Sequence, residues 1–107
     1  MSDNSIIELD PSEFSQKIKD DVNAVLLDVR TPNEHNDGHI PNSILMNIYD
    51  PAFIDDIQKL DRNKNYYLYC RSGNRSYQAG QLMIQLGFKN VYNLNSGILG
   101  WDEPLEI

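Results

Sequence analysis

Apolar residues arrive along this chain in short blocks separated by polar stretches, and the spacing inside the blocks changes from one to the next. "SIIEL" (5–9) reads as a short strand. "DPSEFSQKIKD" follows with Pro11 and Ser12 as helix-start residues and Phe14 and Ile18 four apart on one face. "AVLLDV" (24–29) is an apolar run with β-branched residues, the pattern of a strand covered on both faces, and "RTPNEHNDGHIPNS" breaks it into a long polar connection. Such connections are where function concentrates. "ILMNI" (44–48) predicts a third strand, after which Asp50 and Pro51 read as N-cap and first position of a helix carrying Phe53, Ile54, Ile57 and Leu60 at helical spacing. "NYYLYC" (65–70) predicts a fourth strand by its aromatic content. Ala79, Leu82, Met83 and Leu86 fall at i, i+3, i+4 and i+7, predicting a helix from about residue 75 until Gly87 caps it. "NVYNL" (90–94) predicts a fifth strand, and "SGILGWDEPLEI" a turn with at most a short helix.

Strands alternating with helices over short connections imply an α/β fold with a mainly parallel sheet. Ligands in such sheets bind beyond the carboxyl ends of the strands. Cys70 stands at that end of the fourth predicted strand, directly before a helix, and is the only cysteine in the chain. A lone cysteine makes no internal disulfide and, without a second Cys or a dense His cluster, no structural zinc site.

Composition narrows the field. At 107 residues one domain is expected, and 40% hydrophobic with 23% charged residues favours a packed core over disorder. Sixteen acidic against nine basic residues give a net charge of −7, which argues against general affinity for nucleic acid or an anionic membrane. The start, "MSDNSIIELDPSEF", lacks a basic region and an apolar run, and no stretch approaches the roughly 18 apolar residues of a membrane span. A cytoplasmic monomer is expected.

An anion site must therefore be local, and the stretch after Cys70 offers one. A thiol at a helix N-terminus can have its pKa lowered from about 8.5 into the range ~3.5 to 7.5. Gly73 permits a left-handed or close-approach backbone and Asn74 tolerates one, so the N–H groups of residues 71–75 can curl around the sulfur as a nest. Arg71 and Arg75 add two cations to an acidic protein.

At this loop the chain resembles the single-domain rhodaneses, a sulfurtransferase family. "DVRTPNEHNDGHIPNS" resembles the family's first signature, Asp-x-Arg followed by Glu and then Gly-His-Ile; "YCRSGNRS" resembles the active loop; "VYNLNSGILGW" resembles the closing Asn-Leu-x-x-Gly-x-x-x-Trp segment. The three matches come in order and span residues 25–101. The resemblance implies a three-layer α/β/α domain around a mainly parallel sheet of about five strands. It implies Cys70 as a nucleophile that takes the outer sulfur of a thiosulfate-like donor as a persulfide and yields it to a thiol or cyanide. Residues Arg71, Ser72, Gly73, Asn74 and Arg75 would cradle the persulfide, with Asp28 and Arg30 of the first signature in support. On this reading Arg71 attracts the donor and Arg75 braces the loop by pairing with Asp28. No metal or organic cofactor is implied.

Two rival functions remain. One is a persulfide carrier or protein-interaction module with a protein sulfur donor or acceptor and little thiosulfate turnover. The other is a cysteine-dependent phosphatase, disfavoured because those use Cys-x5-Arg, whereas four residues separate Cys70 from Arg75. Beside these stand plainer readings: Cys70 as a small buried hydrophobe, Arg71 as a solvated charge, Asp28 as a loop cap, His39 as structural, His35 as exposed and idle, and Trp101, Tyr66, Tyr67 and Tyr69 as packing. Ser96 and Gly97 stand where many family members carry a Gly pair, and Asn42 and Ser43 where Gly and Ala are common.

Overall fold

The computed structural model describes residues 5–107. Five strands form one sheet: β1 (Ile7–Leu9), β2 (Ala24–Asp28), β3 (Ile44–Leu45), β4 (Asn65–Tyr69) and β5 (Asn90–Leu94). Their order is β1-β5-β4-β2-β3 and each neighbouring pair is parallel. The helices are α1 (Pro11–Asp20), α2 (Pro32–Asp37), α3 (Phe53–Gln58) and α4 (Asn74–Gln85), followed by a short 3-10 helix, Ile98–Gly100. Among the described residues no helix is long and apolar enough to cross a membrane.

Alternation along the strands divides the core in two. Tyr67, Tyr69, Tyr92 and Leu94 face α1, where the Phe14 ring meets the edges of Tyr67 and Trp101 at centroid distances of 5.6 and 6.2 Å. Leu27, Val29, Tyr66, Leu68 and Val91 face the other way and pack on Phe53 and Ile57 of α3 and Ala79 and Met83 of α4. Both faces of β4 are thus covered, which is why its aromatic run shows no alternation between apolar and polar residues.

Three expectations change. The connection after β2 contains α2: Thr31 and Glu34 form a reciprocal capping box, and Pro32 occupies the first turn, where its missing N–H costs nothing. The helix after β3 begins at Phe53, not Pro51, because the Asp50 carboxylate accepts the Ala52 N–H at 2.9 Å and holds residues 50–53 as a turn. β3 stops at Leu45, opposite Asp28, where its partner β2 also ends.

From β2 the chain departs toward β3, and from β4 toward β5, in opposite directions across the sheet. The crevice between the carboxyl ends of β2 and β4 is therefore a topological switch point, where open α/β sheets place ligands. Residues 28–34 and 70–76 meet there.

Candidate functional site

Helix α4 starts without a side-chain cap: its N-cap is Gly73, left-handed at φ +100°. The first amide groups of a helix have no partner within it, and here a sulfur atom takes the place of the usual capping oxygen. The Gly73 N–H donates to Cys70 Sγ at 3.1 Å and Ser76 Oγ lies 3.3 Å from the same atom. Cys70 is 1% exposed, at the boundary of the core packed against α4. Burial pushes its thiol up, but the Ser76 hydroxyl and the backbone N–H groups of Ser76, Ser72 and Gly73 outweigh it and hold the pKa below the ordinary thiol value.

Glycine is required twice around this sulfur. A Cβ on Gly73 would stand 2.3 Å from the Asn95 carbonyl oxygen. One on Gly97, at φ +64°, would stand 2.2 Å from the Arg71 carbonyl oxygen. The turn after β5 therefore lies against the back of the cysteine loop, and Ile98 and Leu99 donate their N–H groups to the carbonyls of Cys70 and Arg71 at 2.9 and 3.2 Å. Ser96 directs its hydroxyl to the Gly97 carbonyl at 3.1 Å.

Arg75 is held by a carboxylate, but that carboxylate is not Asp28. The guanidinium grips Glu34 of α2 with two parallel bonds, Nη1 to Oε1 at 2.8 Å and Nη2 to Oε2 at 2.9 Å. Asp28 is occupied by its own neighbour: Arg30 Nε and Nη2 donate to its two oxygens at 2.9 and 2.7 Å. Parallel strands bring the first turn of α4 opposite α2, one element beyond Asp28, and a guanidinium holds one carboxylate in this two-bonded geometry. The Arg75 bonds hold the Glu34 carboxyl down at about 2, and Glu34 in return raises Arg75.

Asp28, itself fully buried, anchors a polar network that reaches the half-buried His35. Its Oδ2 accepts from the Tyr69 hydroxyl at 3.0 Å and lies 2.9 Å from His35 Nδ1, while Arg30 also donates to the Gly38 carbonyl at 2.8 Å. Burial raises the Asp28 carboxyl and the bonds from Arg30 and His35 more than reverse that. Burial pushes the Tyr69 hydroxyl up to about 12. His35 is thus engaged rather than idle, stacked on His39 with ring centroids 3.8 Å apart. His39 is structural: Nδ1 bonds the His35 carbonyl at 2.9 Å, and its backbone bridges Glu106. Trp101 packs as expected.

Arg71, Ser72 and Asn74 are exposed at the mouth, and Arg71 has no carboxylate partner among the described residues. Tyr49, itself exposed, lies with its ring 5.8 Å from the Arg75 guanidinium. Sequence reasoning gave roles to Cys70 and its loop but none to Ser76 or Glu34, although both lie inside the quoted motifs. Ser76 closes the "YCRSGNRS" match and stands in the first turn of α4. Glu34 had a signal in the Thr-Pro-x-Glu capping pattern. Among the described residues no group of three or more His, Cys, Asp or Glu side chains is placed to hold a metal ion.

The cradle around the Cys70 thiol thus lies beside the Asp28–Arg30 pair at the end of β2. The family model of the rhodanese-like domain matches residues 10–104. The chain belongs to the rhodanese-like family. It is similar to a sulfurtransferase of Allochromatium vinosum, 37% identical over 88% of this chain and 86% of the relative. The thiosulfate sulfurtransferase GlpE of Pseudomonas syringae is 33% identical over 85% of this chain and 83% of its own. Among solved structures, a rhodanese-like domain protein from Staphylococcus aureus superposes with a TM-score of 0.83 at 28% identity, covering 95% of this chain and 98% of that one. The five parallel strands with helices on both faces are the rhodanese-like fold.

Proposed function

We propose that this rhodanese-like protein is a sulfurtransferase that carries a sulfane sulfur on Cys70, taking it from an anionic donor such as thiosulfate and yielding it to a thiol or cyanide. The observation that carries this reading is the convergence of the α4 donors on one atom, Cys70 Sγ. A cradle closed on the sulfur suits a thiolate and then a persulfide anion, because donors already in place need no reorganisation when the charge arrives. A phosphoryl group would need a wider ring of amides beyond the sulfur, with the Arg fork free to grip oxygen, whereas the Arg75 fork is committed to Glu34.

In the first half-reaction the Cys70 thiolate attacks the outer sulfur of thiosulfate. The S–S bond of the donor breaks, sulfite leaves with the bonding pair, and Cys70 holds the outer sulfur as an anionic persulfide. In the second, cyanide or a thiolate attacks that outer sulfur and the Cys70 thiolate leaves. The backbone N–H groups of residues 71–75 stabilise the persulfide, while exposed Arg71 draws anions toward the mouth of a protein with net charge −7. Electrons pass only between sulfur and its attackers, so the cycle closes without a metal or organic cofactor. A reducing, cytoplasmic setting keeps such a thiol available.

The test is the intact mass of the purified protein after thiosulfate and again after cyanide, with Cys70→Ser in parallel. Gain of one sulfur atom by the native protein alone, reversed by cyanide with thiocyanate released, is expected. Absence of any gain with Cys70 reduced and accessible would sink the thiosulfate reading. A persulfide that forms but does not turn over would make the protein a carrier for a protein partner, and phosphate release from an aryl phosphate would make it a phosphatase.

A further inference from the structure

Asn93 on β5 is 2% exposed, an amide between the core residues Val91 and Leu94. Its Nδ2 donates to the Gly73 carbonyl at 3.1 Å and to Glu8 Oε1 on edge strand β1 at 2.9 Å. Its Oδ1 is buried and, among the described residues, unpartnered. A buried amide with one half unsatisfied is a poor way to fill a core, since an apolar side chain of similar size would avoid the desolvation cost. What the amide achieves is control of Gly73.

That glycine has no Cβ, sits at φ +100°, and points its N–H at Cys70 Sγ. Left alone it would be the most permissive residue of the loop. Its carbonyl receives both the Asn93 amide and the Tyr77 N–H at 3.2 Å, so its exit is held from two sides while its entry faces the sulfur. A chain of contacts therefore runs from a carboxylate on the sheet edge through Asn93 and Gly73 to the thiol.

We infer that Asn93 is a positioning residue for the Cys70 loop, its amide oriented by Glu8 and holding Gly73 so that the N–H stays aimed at the sulfur. The inference rests on the reading of Cys70 as the reacting thiol, but its test does not require sulfur transfer. Cys70 is the only cysteine, so the ultraviolet absorbance of the thiolate, with Cys70→Ser as baseline, reports its titration alone. Asn93→Leu, shown folded by circular dichroism, is expected to raise the thiolate midpoint by about one pH unit, a tenfold loss of thiolate at a given lower pH. A folded Asn93→Leu with an unchanged midpoint overturns the inference. If that variant does not fold, Glu8→Ala on the exposed edge strand decides: a rise of about threefold in the apparent proton affinity supports the contact chain, and no rise overturns it. A wild-type protein that takes up no sulfur while the midpoint still moves would remove the sulfurtransferase reading and leave the positioning role standing.

Discussion

The ends of β2 and β4 lie side by side, Asp28 opposite Tyr69, yet they treat charge in opposite ways. At the end of β2 a carboxylate is met by side chains: Arg30 with two bonds, His35 and the Tyr69 hydroxyl, leaving that carboxylate no room for a ligand. At the end of β4 a sulfur is met by backbone N–H groups and one hydroxyl, with no full positive charge bonded to it. An ion pair neutralises a charge and fixes structure. Amide dipoles lower the energy of a charge without cancelling it, so the atom keeps its nucleophilic character. The Arg75–Glu34 clamp joins the two regions, holding the loop without placing a counter-ion on the sulfur.

The contrast is best broken at Asp28. Asp28→Ala leaves the Arg30 guanidinium, with a side chain only 6% exposed, without its partner and is expected to cost about 3–5 kcal/mol in urea unfolding. If the folded fraction then shows a Cys70 thiolate midpoint moved as far as in a loop variant, the two strand ends are not separate devices.

Gly73→Ala puts a Cβ into the Asn95 carbonyl oxygen at a positive φ, with an expected cost of about 1–3 kcal/mol and loss of most sulfur loading. Loading at the native rate, followed by mass, would show that the left-handed turn is not needed. Ser76→Ala removes one donor from the sulfur and should raise the thiolate midpoint by roughly one pH unit, equivalent to about 1.4 kcal/mol, with little effect on folding. Because the folded thiol is held low, sulfur loading should rise with pH through a midpoint below that of a free thiol, and the Ser76→Ala profile should lie to its alkaline side.

Glu34→Gln sharpens the role of the clamp. The folded Glu34 carboxyl titrates at about 2 against an ordinary 4.5, so its contribution is full above about 4.5 and is lost as pH falls through about 2. Denaturation across that window should be flatter in Glu34→Gln, which should be about 1 kcal/mol less stable at neutral pH because the pair is partly exposed. An equally steep acid limb in the variant would assign it to other carboxylates. The smallest effect is expected from exposed Arg71: Arg71→Ala should change stability by less than about 0.5 kcal/mol while raising KM for an anionic donor and weakening its salt dependence. Unchanged KM would make Arg71 a solvated charge.

Much of this was legible in the chain. "NVYNL" is β5 to the residue, and "NYYLYC" overshoots β4 by only the cysteine that leaves it. Cys70, Gly73 and the helix start after them were readable because a helix N-terminus is built from neighbours in sequence. The Thr31 capping box was equally local, yet Pro, Asn and Gly in "RTPNEHNDGHIPNS" obscured the six-residue helix it starts. Arg75 was paired with Asp28 in the sequence reading but bonds Glu34 in the structure, since sequence does not reveal which of two nearby carboxylates an arginine reaches.

The sequence by itself determined the succession of strands and helices and the placing of one thiol before an uncapped helix, because periodicity and capping act over a few residues. Tertiary structure alone decided the pairings across elements: Tyr69 with Asp28, Arg75 with Glu34, Gly97 against Arg71, and Asn93 under Gly73. Most of these contacts join residues 20 to 41 positions apart in the chain. Strand order and register bring them together, and those are set by burial of the two sheet faces rather than by any local pattern.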